Sequence, residues 1–202
     1  MEKDRDPFGQ AICAVRQRVR AGRYVLGERL AITELANDLD LSATPVREAL
    51  SRLSGEGLIE DRRGQGYFAW RLDVVDLTDL YELQGAYLDI ALSRAGARGP
   101  GLEPSAAASA EDLFAHIVHQ SHSAALTRAN RLLADRLAAP RRVEERVLSD
   151  VEGELSALLG VVEIDDLRQE LAAYHERRLS SGRAIVAALR SQAGQDENIV
   201  PQ

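Results

Sequence analysis

Residues 41–50 read Leu41-Ser42-Ala43-Thr44-Pro45-Val46-Arg47-Glu48-Ala49-Leu50. Ser42 is placed as an N-cap, where its hydroxyl accepts from a first-turn amide that has no helical partner. Pro45 falls in the first turn, where a missing N–H costs little. Val46, Ala49, Leu50 and Leu53 recur at helical spacing and supply one buried face. Gly57 follows as a stop.

The chain before this helix repeats the pattern. Ile32, Leu35, Ala36 and Leu39 mark a shorter helix, started by Thr33 or a neighbour and ended at Asp40-Leu41. Ile12, Val15 and Val19 mark an earlier one, closed by Ala21-Gly22, with a turn at Gly27. Cys13, the single cysteine, excludes an internal disulfide framework and is expected to be a small core residue. Two helices joined by a tight turn, the second opening at Ser42, give helix-turn-helix geometry. Leu58-Ile59-Glu60-Asp61-Arg62 then reads as a strand, Arg63-Gly64-Gln65-Gly66 as a turn and Tyr67-Phe68-Ala69-Trp70 as the return. A hairpin directly after such a helix is a wing.

These residues resemble the GntR family of regulators in order and spacing. The resemblance is carried by Ala21-Gly22-Arg23-Tyr24, Gly27-Glu28-Arg29-Leu30, Glu34-Leu35-Ala36, the decapeptide 41–50, Glu56-Gly57-Leu58 and Gly64-Gln65-Gly66-Tyr67. It implies a DNA-binding surface made of Thr33, Ser42, Ala43, Thr44, Pro45 and Arg47 on the helices and Arg63, Gly64, Gln65 and Gly66 on the wing. Arg47 is its strongest member, because a guanidinium makes paired bonds to guanine or clamps a phosphate. The bland alternative pairs Arg47 with Glu48 or Glu34 on a solvated surface. Ala43 stands where the family usually has arginine, and losing one bidentate contact removes roughly 1–3 kcal/mol of base discrimination.

The net charge of −7 divides unevenly: residues 1–72 carry 12 Lys+Arg against 11 Asp+Glu, residues 73–202 carry 13 against 21. A near-neutral domain with clustered arginines binds phosphates beside an acidic partner domain, because phosphate attraction is local. The charged start, Met1-Glu2-Lys3-Asp4-Arg5-Asp6, and the short apolar runs give no signal peptide or membrane span, so the cytoplasm is expected.

After Trp70 the period is helical. Leu77, Leu80, Tyr81, Gln84, Leu88, Ala91, Leu92 and Ala95 form a stripe that breaks at Gly99-Pro100-Gly101. A helix from Pro104 through Leu113 and Ile117 follows, then one continuing to Pro140, one around Val147–Leu158, and a long one from about Asp165 to Arg190. The expected fold is therefore mainly α: a winged helix-turn-helix over 7–71, a helical bundle over 72–191, and a flexible tail over 192–202.

Asp76-Leu77-Thr78-Asp79-Leu80-Tyr81-Glu82-Leu83 resembles the start of the ligand-binding domain in the FadR-type branch of the family. The resemblance implies a homodimer, a pseudo-palindromic operator, and a small organic acid as effector, often held through a metal bound by one aspartate and three histidines. All four histidines fall in this half. Asp112, His116 and His119 share one helix face, and His175 lies on a later helix. Only His175 is available where the branch has two later histidines, so the expectation is a metal-free pocket lined by Asp112, His116 and His175. A divalent metal on three ligands is the alternative. Arg141-Arg142, Arg146 and Arg177-Arg178 alternate with Glu144-Glu145 and Glu176, which reads as solvated ion pairs.

The function implied is a dimeric, sequence-specific transcriptional regulator modulated by a small molecule. Its alternative is a DNA-binding protein whose helical half is a ligand-free dimerisation or interaction module. An enzyme is not expected, since no nucleophile–base pair appears.

Overall fold

The computed structural model describes residues 6–96, 107–161 and 163–196, with side chains as far as residue 192. It divides into two units, Met1–Leu72 with Leu189–Gln202, and Asp73–Ala188.

In the first unit α1 spans Pro7–Arg20, with Asp6 accepting from the Gly9 amide at 2.8 Å and Pro7 at the first helical position. Ala11 and Val15 are its buried positions, and Cys13 is exposed, contrary to expectation. The reason is angular: a residue two places from each lies about 200° round the helix.

Helix α2 spans Ile32–Leu39 and ends on Asp40, whose φ of 53° is left-handed. The Leu41 amide then reaches back to the Ala36 carbonyl at 2.9 Å, so the turn closes on itself. Helix α3 spans Ala43–Gly55 and buries Val46, Ala49, Leu50 and Leu53. Ser42 holds the extended N-cap conformation, but its hydroxyl makes no cap bond. Ala31, the N-cap of α2, also makes no side-chain cap bond. Packing of the apolar faces, more than capping, holds these two helices.

Strands β2 (Ile59–Arg62) and β3 (Gly66–Ala69) form the expected hairpin, with Arg62 opposite Gly66. A two-residue strand, β1 (Arg29–Leu30), pairs antiparallel with β3, so the sheet order is β1-β3-β2. Sequence periodicity missed β1, because two residues carry no alternation. Leu30, Leu35, Leu50, Leu53, Leu58, Ile59 and Ala69 join the α1 residues in one core.

The second unit is all-helical: α4 (Val74–Gly96), α5 (Ala110–Gln120), α6 (Ala124–Glu144), α7 (Val151–Gly160) and α8, which starts at Ile164. Asp73 and Asp76 cap α4 reciprocally at 2.8 and 3.2 Å, the geometry of a capping box. Leu88, Leu92, Leu113, Phe114, Ile117, Leu158, Leu167, Leu171 and Tyr174 make up its core.

Four helix bounds differ from expectation. The helix expected around Val147–Leu158 begins only at Val151, with Val147 in the turn after α6. The described part of α5 begins at Ala110 on a Ser109 cap, while the start expected at Pro104 lies outside the described residues. Helix α6 runs through Pro140 to Glu144, accepting one missing N–H in exchange for the burial of Val143 and Glu144. Helix α8 continues to Asp196, so the tail expected to be flexible from residue 192 begins inside a helix. Once nucleated, each added residue gains a backbone bond. Residues 197–202 lie outside the described part. No described helix is long and apolar enough to cross a membrane.

Candidate functional site

The sheet and α1 hold α3 by its apolar side, which leaves Thr44 and Arg47 on the exposed side with Ser42 and Thr33. Ala43 and Pro45 are half-buried. At the hairpin tip Arg63, Gly64 and Gln65 are exposed, and Gly64 and Gly66 take φ values of 75° and 103°. Those left-handed angles suit glycine, and they let the Gln65 amide donate to the Arg62 carbonyl at 2.8 Å.

The arginines of this unit fall into two groups. Arg16 and Arg52 both hold Glu56, at 2.6 and 2.8 Å. Arg18 holds Asp38 at 3.2 Å, and Arg62 holds Glu60 at 2.6 Å while lying 4.1 Å over the Phe68 ring. Arg47 and Arg63, like Arg23 and Arg29, are exposed and make no ion pair or side-chain hydrogen bond among the described residues. The alternative pairing of Arg47 with Glu48 or Glu34 is not formed.

Sequence reasoning missed Arg29. It is exposed on β1, and its guanidinium comes within 3.8 Å of the position a Cβ would take on Gly66. The pairing of β1 with β3 brings it beside the wing turn. Because β1 has no sequence signature, this neighbourhood is visible only in the fold.

The other expected site lies in the helical unit, and its residues part company. Asp112 is exposed and closes the start of α5: its carboxylate accepts from the Ser109 hydroxyl at 2.7 Å, and its amide donates to that hydroxyl at 3.1 Å. His116 is half-buried, with Nε2 3.4 Å from the Gln120 amide nitrogen. His175 is buried in the core, its ring 5.9 Å from Phe114 and 5.1 Å from Tyr174. No group of three metal-capable side chains forms among the described residues. Asp112, His116 and His175 are thus not brought together as one ligand set among the described residues.

What the core contains instead is a charged and polar cluster. Arg178 is buried, donating to Glu144 at 2.8 and 3.0 Å, to Glu154 at 3.0 Å and to the Tyr174 carbonyl at 2.9 Å. Its guanidinium lies 3.3 Å over the Tyr174 ring. Glu144 also accepts from the buried Tyr81 hydroxyl. Arg141 donates to Gln84 at 2.8 Å and reaches Glu111 at 3.5 Å. Arg178 and Arg141 were expected to be solvated; helix α6 extending past Pro140 carries Arg141 and Glu144 inward.

Setting aside Glu154 Oε2, which lies 2.8 Å from Arg178 Nη2, four polar atoms of this cluster have no hydrogen-bond partner among the described residues: Gln84 Nε2, Arg141 Nε, the Tyr174 hydroxyl and His175 Nε2. The Leu171 carbonyl, 2.6 Å from His175 Nδ1, can only accept, so Nδ1 carries the proton and Nε2 is left an acceptor. Burial pulls the His175 pKa from 6.5 down to about 4; the Leu171 bond opposes the fall, and the charges of Arg178 and Arg141 add to it. Burial raises the Tyr81 pKa well above its ordinary value, and the Glu144 charge adds to that rise. His175 also lines a cleft of about 200 Å³ with Gly85, Leu88, Asp89, Leu92, Arg168, Leu171 and Ala172. Asp112 and His116 do not line it.

Comparison with known proteins bears on the first unit most directly. Residues 8–68 match the bacterial regulatory proteins of the gntR family. The Nta operon transcriptional regulator of Aminobacter aminovorans is 48% identical over 63 residues, 31% of this chain and 30% of that protein. An uncharacterized HTH-type transcriptional regulator of Mycobacterium tuberculosis is 32% identical over 88 residues, 44% of this chain and 36% of the relative. The matches thus span about a third of the length of these relatives, which are named as transcriptional regulators and not as enzymes.

Among solved structures, Escherichia coli McbR/YncC superposes with a TM-score of 0.63 at 18% identity, covering 88% of this chain and 97% of that one. A putative GntR transcriptional regulator from Rhodococcus sp. RHA1 gives 0.62 at 17% identity, covering 87% and 96%. These two likenesses show the fold, a winged helix with a helical carboxy-terminal domain. The amino-terminal unit is a GntR-family helix-turn-helix domain.

Proposed function

We propose that this chain is a cytoplasmic, homodimeric, sequence-specific transcriptional regulator whose helical unit responds to a small organic acid. The observation that carries the reading is the sorting of the arginines. Four are locked to carboxylates, and of the exposed, unpaired arginines Arg47 stands on α3 and Arg63 on the wing tip, with Arg29 beside the wing turn. Cations left unneutralised at a recognition helix and a wing are what phosphates and base edges require. In a two-fold dimer, two such helices enter successive major grooves of a pseudo-palindromic duplex.

Salt dependence tests the roles of these two residues. Each phosphate contact releases counterions, so removing one flattens the plot of log affinity against log salt by about one unit. Arg63→Ala is expected to do this on any duplex. Arg47→Ala is expected to lower affinity most on the preferred duplex. Unchanged slopes and affinities in both variants would remove the assignment.

Support for an effector comes from the polar core of the helical unit. An unsatisfied buried polar group costs about 1–3 kcal/mol, and four in one cluster suit a ligand that supplies partners. Arg141, with Nε unused, suits a carboxylate. A panel of organic acids in thermal unfolding tests this: one acid raises the Tm of the intact chain and shifts duplex affinity, and Arg141→Met abolishes both effects. If no acid moves either quantity, the helical unit is a ligand-free module.

A further inference from the structure

Helix α4 is apolar on two opposite faces. One face, with Leu77, Leu80, Tyr81, Gln84, Leu88, Ala91 and Leu92, is buried in the helical unit. The other carries three of the four large hydrophobic residues that stand exposed among the described residues: Val75 at 68%, Leu83 at 42% and Ile90 at 49%. Asp79, Leu83, Ala86 and Ile90 follow one another at spacings of four, three and four. That is the spacing of a two-helix seam, and all four side chains are exposed. An amphipathic surface helix needs only one apolar face, so the second requires a partner.

We propose that this face pairs with the same face of a second copy, antiparallel across a two-fold axis between Ala86 and Tyr87. The proposal rests on the homodimer reading above and adds its surface and register. Charge decides the direction. Asp79 makes no ion pair among the described residues. Arg94 is exposed and uses only Nε, toward the Ser121 carbonyl at 3.4 Å. In the antiparallel register Asp79 faces the partner's Arg94, Leu83 faces the partner's Ile90, and Ala86 faces the partner's Tyr87. Each of these pairs occurs twice, as a two-fold interface demands. A parallel pairing would set Asp79 against its own copy, which is repulsive.

The test uses the full chain carrying Cys13→Ser, with sedimentation equilibrium and mild oxidation as readouts. Ala86→Cys, close to the axis, is expected to form a disulfide-linked dimer. Ser93→Cys lies on the same face but, at ~1.5 Å of rise per residue, sits roughly 20 Å along the seam from its own copy, and is expected not to. Asp79→Arg weakens the dimer roughly tenfold, and Asp79→Arg with Arg94→Asp restores it. Unchanged thermal unfolding confirms that the variants fold. A dimer that crosslinks through both positions, through Ser93→Cys alone, or through neither overturns this register while leaving the homodimer standing. A wild-type chain that stays monomeric overturns both.

Discussion

Arg178 and Glu144 meet at 2.8 Å inside the helical unit with side-chain exposures of 0% and 4%. The guanidinium spans from α6 to α7, because Glu154 on α7 takes its other side. Taking two charges out of water is expensive, so such a pair is weak evidence of net stability, yet breaking it is costly. Arg178→Met is expected to destabilise the chain by about 3–5 kcal/mol, leaving Glu144 buried and uncompensated. Calorimetry is the check: Tm should fall by on the order of 10 °C. Adding Glu144→Gln to Arg178→Met should recover part of the loss, and a Tm within a degree of wild type in the single variant would refute the account.

His175 makes stability depend on pH. Its folded pKa, about 4, lies below the ordinary 6.5, so between these values the unfolded chain binds the extra proton. The contribution is therefore fully present above pH 6.5 and is lost as pH falls toward 4, worth roughly 3 kcal/mol across that window. Urea unfolding at pH 7 and pH 4.5 should show the drop, and His175→Gln should shrink it. Equal pH dependence in wild type and variant would contradict the assignment.

The paired arginines of the first unit give the complementary prediction. Arg52 is bound to Glu56 at 2.8 Å, four residues along the same helix that presents Arg47. Arg52→Ala should change duplex affinity less than threefold and cost about 0.5 kcal/mol of stability, as exposed pairs do. Anisotropy titrations beside denaturant curves separate these effects. Equal affinity losses in Arg52→Ala and Arg47→Ala would mean that pairing state does not mark the DNA-facing side chains.

What the sequence revealed depended on periodicity. Val46, Ala49, Leu50 and Leu53 repeat over a whole helix, and the glycines at 64 and 66 punctuate a hairpin, so the winged helix was legible down to its turn. Strand β1 was not, since two residues have no period and Arg29 acquires its place only by pairing with Phe68. Cys13 was misread because it sits next to Ile12 in sequence while its angle places it opposite Ala11 and Val15. In the helical unit the stripe through Tyr81 and Gln84 was visible, but the charges that meet it were not. Arg178, Glu144 and Glu154 come from three helices, and runs such as Arg141-Arg142-Val143-Glu144-Glu145 look the same in sequence whether solvated or buried. The histidines were weighed as ligands by the branch resemblance and helical spacing, and capping chemistry at Ser109 claimed Asp112 first.

The central claim is that α3 and the wing read a DNA sequence. Its most direct test is selection of duplexes from a randomised pool by the purified full chain, followed by titration of the winner with wild type and Arg47→Ala. The account predicts enrichment of one duplex with two related half-sites, and a loss of roughly ten- to hundredfold in Arg47→Ala. A pool that stays random after repeated rounds, or an enriched duplex that Arg47→Ala binds as tightly as wild type, would contradict it.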